Sequence, residues 1–148
     1  MLDTWHRWIA AFNQACEADA WSALDPFLTD DVVYIVAGVP FACELRGRKA
    51  VIAGFQRSVR GFDQHFERRT WTGVGVRLWE PGTVTARALG RYTRAGAPDL
   101  TFAAHGTWVF RHDRIAMMLD LYDPAEADIQ AAMAWLGEHG ADLDPSYA

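Results

Sequence analysis

Cysteine is scarce in this sequence, with only Cys16 and Cys43. Two such residues make neither a disulfide framework nor a metal-ligand spacing, so no metal is expected and a reducing compartment is the default. No apolar run approaches the roughly 20 residues of a membrane-spanning helix. Asp3, His6 and Arg7 interrupt the first apolar residues, which is not how a signal-peptide core reads. The expected location is therefore cytoplasmic. Positive charge is also short. Lys and Arg number 14 against 19 Asp and Glu, a formal net charge of −5 with a pI near 5.4. Nucleic acids and anionic membranes are bound through clustered cations, so neither is an expected partner. No glycine-rich phosphate loop follows a strand, and no repeat, low-complexity tract or interdomain linker is visible.

What the chain does have is apolar material. Its 148 residues are 51% apolar and include seven tryptophans, enough to build one core, and a single domain over residues 1–148 is expected. Trp5, Trp8, Ile9, Phe12 and Cys16 recur at helical spacing. Asp19 reads as the N-cap of a short second helix through Trp21, Leu24 and Leu28, with Pro26 against it. Asp31 to Val36 reads as a strand, and Gly38, Pro40 and Gly47 bracket an irregular loop. A third helix then places Val51, Ile52, Phe55 and Val59 on its buried face.

From Phe66 the period changes to two. Four long strands follow: Thr70 to Trp79, Thr83 to Thr93, Leu100 to Arg111 and Arg114 to Tyr122. Strict alternation puts Trp71 and Trp79 on one face of the first. In the second it puts Val84, Ala86, Ala88, Gly90 and Tyr92 opposite Arg87 and Arg91. Pro124 opens a last helix containing Ile129, Met133 and Leu136. Helices followed by meandering strands exclude a doubly wound parallel sheet and give an α+β fold. The small side chains of Ala86, Ala88 and Gly90 serve strong curvature, room for a ligand, or simple packing on a helix.

Asp120 is the most informative position. It shares a strand face with Ala116, Met118 and Tyr122, and the opposite face is also apolar. A carboxylate there is costly unless paired or protonated, and desolvation raises its pKa towards that of a general acid or base. A strand-end aspartate bonded to backbone or facing water is the structural alternative. Tyr34, in the apolar run Val32–Val36, offers a hydroxyl to a substrate oxygen or is an ordinary core tyrosine. Histidine as a residue type can pass a proton near neutral pH, so His65 is a proton-transfer candidate or a solvent-facing loop residue. His105 is similar, and parity leaves its face open.

The order Trp21-x-x-Leu24, Leu28-Thr29-Asp30-Asp31-Val32-Val33-Tyr34, Arg46-Gly47-Arg48-Lys49-Ala50-Val51, Gly106-Thr107-Trp108-Val109-Phe110-x-x-Asp113-Arg114-Ile115 and Asp120-Leu121-Tyr122-Asp123-Pro124 resembles the SnoaL-like group of the nuclear-transport-factor-2-like superfamily. The resemblance runs from Trp5 to about Gly137. It implies a cone-like fold in which N-terminal helices pack on a strongly curved antiparallel sheet around a pocket. Asp120 matches the acid/base carboxylate of polyketide cyclases and the water-activating aspartate of limonene epoxide hydrolase, and Tyr34 the hydrolase tyrosine. Val36 stands where that hydrolase has asparagine, and its Arg-x-Asp pair falls on Ala88 and Gly90, or on Arg87 and Leu89 one residue earlier. Gln64-His65-Phe66 is similar to the segment of scytalone dehydratase that carries its histidine, whereas the dehydratase Tyr-Asp pair meets Cys16-Glu17. Ketosteroid isomerase matches less, its oxyanion-hole aspartate falling near Gly106.

The resemblance implies a cofactor-independent acid/base enzyme of isomerase, cyclase or dehydratase type acting on a small hydrophobic substrate. Asp120, His65 and Tyr34 are the catalytic candidates, and Val36, Phe55, Val59, Trp108, Met118 and Tyr122 the pocket wall. An epoxide hydrolase and a non-catalytic ligand-binding domain are the alternatives. Apolar residues on the outer sheet face, with Trp71, Trp79 and Val109 among them, predict a homodimer.

Overall fold

The computed structural model describes residues 1–148. Helix α1 (Leu2–Ala18) buries Trp5, Trp8, Ala15 and Cys16 along one face. Its end is set by Asp19, which takes left-handed geometry at φ 53° and accepts the indole N–H of Trp21 at 2.7 Å. Asp19 thus closes the first helix rather than opening the second. The second helical segment is a 3₁₀ turn, Trp21–Phe27, with Pro26 inside it. Strand β1 (Leu28–Ala37) follows, longer than its apolar stretch indicated.

The segment expected as irregular loop contains a short strand, β2 (Cys43–Arg46), paired antiparallel with β1. Four residues flanked by Gly and Pro carry too little period to announce a strand, and its partner supplies the hydrogen bonds. Helix α2 (Arg48–Gly61) buries Val51, Phe55, Ser58 and Val59. A single 3₁₀ turn, Asp63–His65, leads to β3 (Arg68–Trp79), β4 (Thr83–Thr93), β5 (Leu100–Arg111) and β6 (Arg114–Leu121). Helix α3 (Ala127–His139) packs on β5 and holds Trp135 through an indole hydrogen bond to Pro98 O at 2.8 Å.

The six strands form one curved, unclosed sheet in the order β2-β1-β6-β5-β4-β3. All pairings are antiparallel except β1–β6, which is parallel, so the sheet is mixed and the α+β expectation holds. One register row runs Val36–Asp120–Gly106–Ala86 across β1, β6, β5 and β4. Helices α1 and α2 cover the concave face.

In β3 the alternation breaks. The ladder with β4 shifts between Val74 and Arg77, around Gly75 at φ +67°, a conformation that costs glycine little. A one-residue bulge exchanges the two faces. Trp71 therefore points inward and donates its indole N–H to Tyr92 Oη at 3.0 Å, while Trp79 is 51% exposed and bonds Thr85 on the outer face. The expectation that both lie outside is corrected for Trp71.

Candidate active site

The concave face and the helices enclose a mostly apolar cavity of about 190 Å³. Its room comes from the small residues of β4 and β5. Ala86, Ala88, Ala104 and Gly106 line it, and where side chains are missing tryptophans lie over the sheet. A Cβ at Gly106 would stand 2.3 Å from the Trp108 ring, and one at Gly90 2.8 Å from the Trp71 ring. Two glycines thus make space for two cavity walls.

Asp120 projects from β6 into this cavity beside Met118 and Tyr122. Tyr34, on the adjacent β1, donates its hydroxyl to Asp120 Oδ2 at 2.7 Å. No cation accompanies the carboxylate. Burial pushes its pKa up to about 6, and the Tyr34 hydrogen bond pulls it part of the way back. Oδ2 is held and Oδ1 has no hydrogen-bond partner in the protein. Asp120 is half-buried and lines the cavity, so a small molecule there can reach the carboxylate.

A second hydroxyl reaches this group from the C-terminal segment. After α3 the chain turns back along α2, fixed by Asp144 N–H to Gly61 O at 2.9 Å, Ser58 Oγ to Pro145 O at 3.2 Å and Arg57 Nε to Ser146 Oγ at 3.2 Å. Tyr147 is thereby laid against Tyr34 and Phe55, its Oη 3.3 Å from Tyr34 Oη. Because Tyr34 gives its single proton to Asp120, Tyr147 is the donor in that second bond. Burial pushes the pKa values of both phenols up, so both stay protonated donors. Sequence reasoning missed Tyr147, since it sits in Gly-Ala-Asp-Leu-Asp-Pro-Ser-Tyr, a stretch with no apolar period.

The cavity has a second polar end. Arg69 on β3 forms a buried ion pair with Asp63 from the turn after α2, and donates through Nη1 to Asn13 of α1 at 3.1 Å. Tyr92 Oη donates to Asp63 Oδ1 at 3.2 Å. Burial raises the Asp63 carboxyl and Arg69 opposes that rise; Arg69 is disfavoured by burial but held charged by Tyr92 and Asp63.

His65 is not part of either end. Its ring is exposed, with Nδ1 3.5 Å from Asp142 Oδ2. Successive residues of a 3₁₀ turn point about 120° apart, so the turn that sends Asp63 inward sends His65 out. The expected inward histidine is thus corrected. His105 lies on the outer face, bonded to Glu126 at 2.9 Å. Phe55, Val59, Trp108, Met118 and Tyr122 line the cavity; Val36 is buried but does not line it, and Phe41 from the following loop does. Burial pushes the thiols of Cys16 and Cys43 up to about 12 and about 11, so neither is a ready nucleophile. No cluster of three or more His, Cys, Asp or Glu is arranged to hold a metal ion. No helix is long and apolar enough to cross a membrane.

Helices packed over one curved, unclosed sheet give the chain the nuclear-transport-factor-2-like fold. Within it the chain belongs to the SnoaL-like domain family, whose model matches residues 6–118. Bal32a, from a soil-derived mobile gene cassette, has the same fold at a TM-score of 0.67 and 19% identity, covering 90% of this chain and 94% of that one. A putative polyketide cyclase from Xanthomonas campestris gives 0.58 and 21%, covering 90% and 97%. An epoxide hydrolase from M. tuberculosis, similar to limonene epoxide hydrolase, gives 0.60 and 18%, covering 89% and 93%. These likenesses establish fold alone. No curated protein matches the chain.

Proposed function

We propose that this protein is a cofactor-independent acid/base enzyme of the isomerase, cyclase or dehydratase type, acting on a small hydrophobic substrate with Asp120 as the proton-abstracting group. One observation carries the proposal: Asp120 faces an apolar cavity with no cation beside it, where burial pushes its pKa up to about 6 and poises it to take a proton at neutral pH. Tyr34 fixes the Oδ2 side, which leaves Oδ1 for the substrate. Tyr147 extends the line of hydroxyls and polarises Tyr34.

The hydrolase reading uses the same Asp120–Tyr34 pair to activate water. Opening an epoxide also needs an acid at the leaving oxygen, and the register row through Asp120 offers only Val36, Gly106 and Ala86. That favours proton movement within the substrate. Turnover in oxygen-18 water decides between them. A heavy oxygen built into a diol would establish hydrolysis, whereas solvent deuterium in the product without oxygen uptake is the expected result. Unchanged turnover in Asp120→Asn would remove Asp120 as the acid/base group, whereas ligand binding without turnover in the wild type would leave a ligand-binding domain as the surviving reading.

The proposal includes a second copy of the chain covering the outer sheet face, where Val74, Trp79, Leu89 and Leu121 are exposed. Light scattering that finds a monomer at micromolar concentration would remove it.

A further inference from the structure

Asp120 and Tyr34 leave the other polar end of the cavity without a task. Arg69 has only 19% of its side chain exposed and Asp63 13%, yet both line the cavity. Taking an ion pair out of water is expensive, and replacing one by apolar residues is often neutral or stabilising. The pair is therefore weak evidence for stability and invites a second role. The guanidinium has five N–H donors. Asn13 takes one from Nη1, while Nε faces Asp63 in the ion pair without hydrogen-bond geometry. Donors remain for a ligand.

Location adds the second argument. Arg69 lies on β3 and Asp120 on β6, three strand spacings apart, or about 14 Å along the sheet. Sheet curvature turns both towards one cavity, with the indole of Trp71 and the small residues Gly73, Ala86 and Ala88 among the lining between. A flat apolar body fits that floor, with a polar group at each end.

Charge selects the polar group. Asp63 already balances Arg69, and Asp120 adds a negative charge above about pH 6. A carboxylate ligand would therefore enter a cavity of net negative charge. A neutral carbonyl oxygen accepts from Arg69 without that cost.

We propose that Arg69, oriented by Asp63 and Asn13, is a binding residue for a neutral carbonyl oxygen at the end of the substrate remote from Asp120, so that the substrate is a ketone- or quinone-type compound with a flat apolar body. This rests on the acid/base reading for which carbon reacts, but binding alone tests it.

The probes are 2-acetylnaphthalene, the near-isosteric hydrocarbon 2-isopropenylnaphthalene and 2-naphthoate, titrated at pH 8 by quenching of the tryptophan fluorescence that Trp5, Trp8, Trp71 and Trp108 supply at the cavity wall. A hydrogen bond from a charged donor predicts that the ketone binds about 10-fold or more tighter than the hydrocarbon, with naphthoate weaker than the ketone. The single change Arg69→Met strands Asp63, so the double variant Arg69→Met/Asp63→Asn removes both charges together. It is expected to bind the hydrocarbon within about twofold of wild type, which reports an intact cavity, and to lose the preference for the ketone. Asp120→Asn is expected to keep that preference while losing turnover, so the binding and catalytic readings fail separately. A pair that only fastens the fold would leave the ketone preference in the double variant and overturn the proposal. So would a preference that disappears in Asp120→Asn instead, or naphthoate binding tightest. A double variant that fails to fold moves the test to Arg69→Lys, where the ketone preference must fall while hydrocarbon affinity holds; an unchanged preference there overturns the proposal too.

Discussion

At one end of the cavity Asp120 meets a tyrosine hydroxyl; at the other, Asp63 meets a guanidinium. Both carboxyls are pushed up by burial, and each accepts a tyrosine proton, from Tyr34 or from Tyr92. The cation separates them. Arg69 compensates Asp63, which then has little reason to take a proton from a ligand. Asp120 has only neutral donors, so its ionised form is the strained one and its proton affinity is high. The same residue type, buried to a similar depth in one cavity, becomes a candidate base or the support of a binding group according to its partner's charge.

That contrast makes the substitution of aspartate by asparagine a test with opposite signs. Asp63→Asn leaves Arg69 buried without its counter-charge and should cost about 3 kcal/mol of stability, read in urea melts at pH 7. No loss would mean that Arg69 is solvated well enough for the pair to be dispensable. Asp120→Asn should lower activity about 100-fold, the scale of a positioned acid/base, with the fold intact.

The same Asp120→Asn change should raise stability. Burial pushes the Asp120 pKa up to about 6 from the ordinary aspartate value of 3.8. The proton-linked stability it contributes is therefore full below about pH 3.8 and lost as pH rises through about 6. Asparagine mimics the protonated form at every pH, so the variant should exceed wild type by about 3 kcal/mol at pH 8 and by little at pH 4. Equal stability at both would show that Asp120 is solvated and not strained.

Smaller effects sharpen the description of the Asp120 end. If Asp120 acts as a base, kcat/KM should climb about tenfold per unit below pH 6 and level off above it. Tyr34→Phe removes the bond that lowers the pKa of Asp120, so the limb should move to higher pH and activity should fall about tenfold. Tyr147→Phe, one hydroxyl further out, should lower activity about threefold and shift the limb less. A profile untouched by Tyr34→Phe would mean that the 2.7 Å bond does not act on the reacting carboxylate.

Much of this was legible in the chain. Helical spacing marked α1 and α2, period two marked β3 to β6, and the shared face of Val84, Ala86, Ala88, Gly90 and Tyr92 in β4 was legible because no bulge interrupts that strand. Asp120 and Tyr34 stood out as polar residues on otherwise apolar strands. Strand β2 did not, because a four-residue edge strand is made by its partner. Trp71 was misplaced because one added residue near Gly75 reverses parity, and alternation cannot count a bulge.

The sequence by itself determined the order of helices and strands, the apolar faces and the isolation of Asp120 on one of them, since all of these follow from local spacing. Only the tertiary structure decided what surrounds that carboxylate. It brought Tyr147 from the C-terminal segment within 3.3 Å of Tyr34, turned Asp63 in and His65 out within one 3₁₀ turn, and set Arg69 across the cavity from Asp120. Charge compensation depends on distance through space, and residues 113 positions apart, as Tyr34 and Tyr147 are, share no local pattern from which that distance can be read.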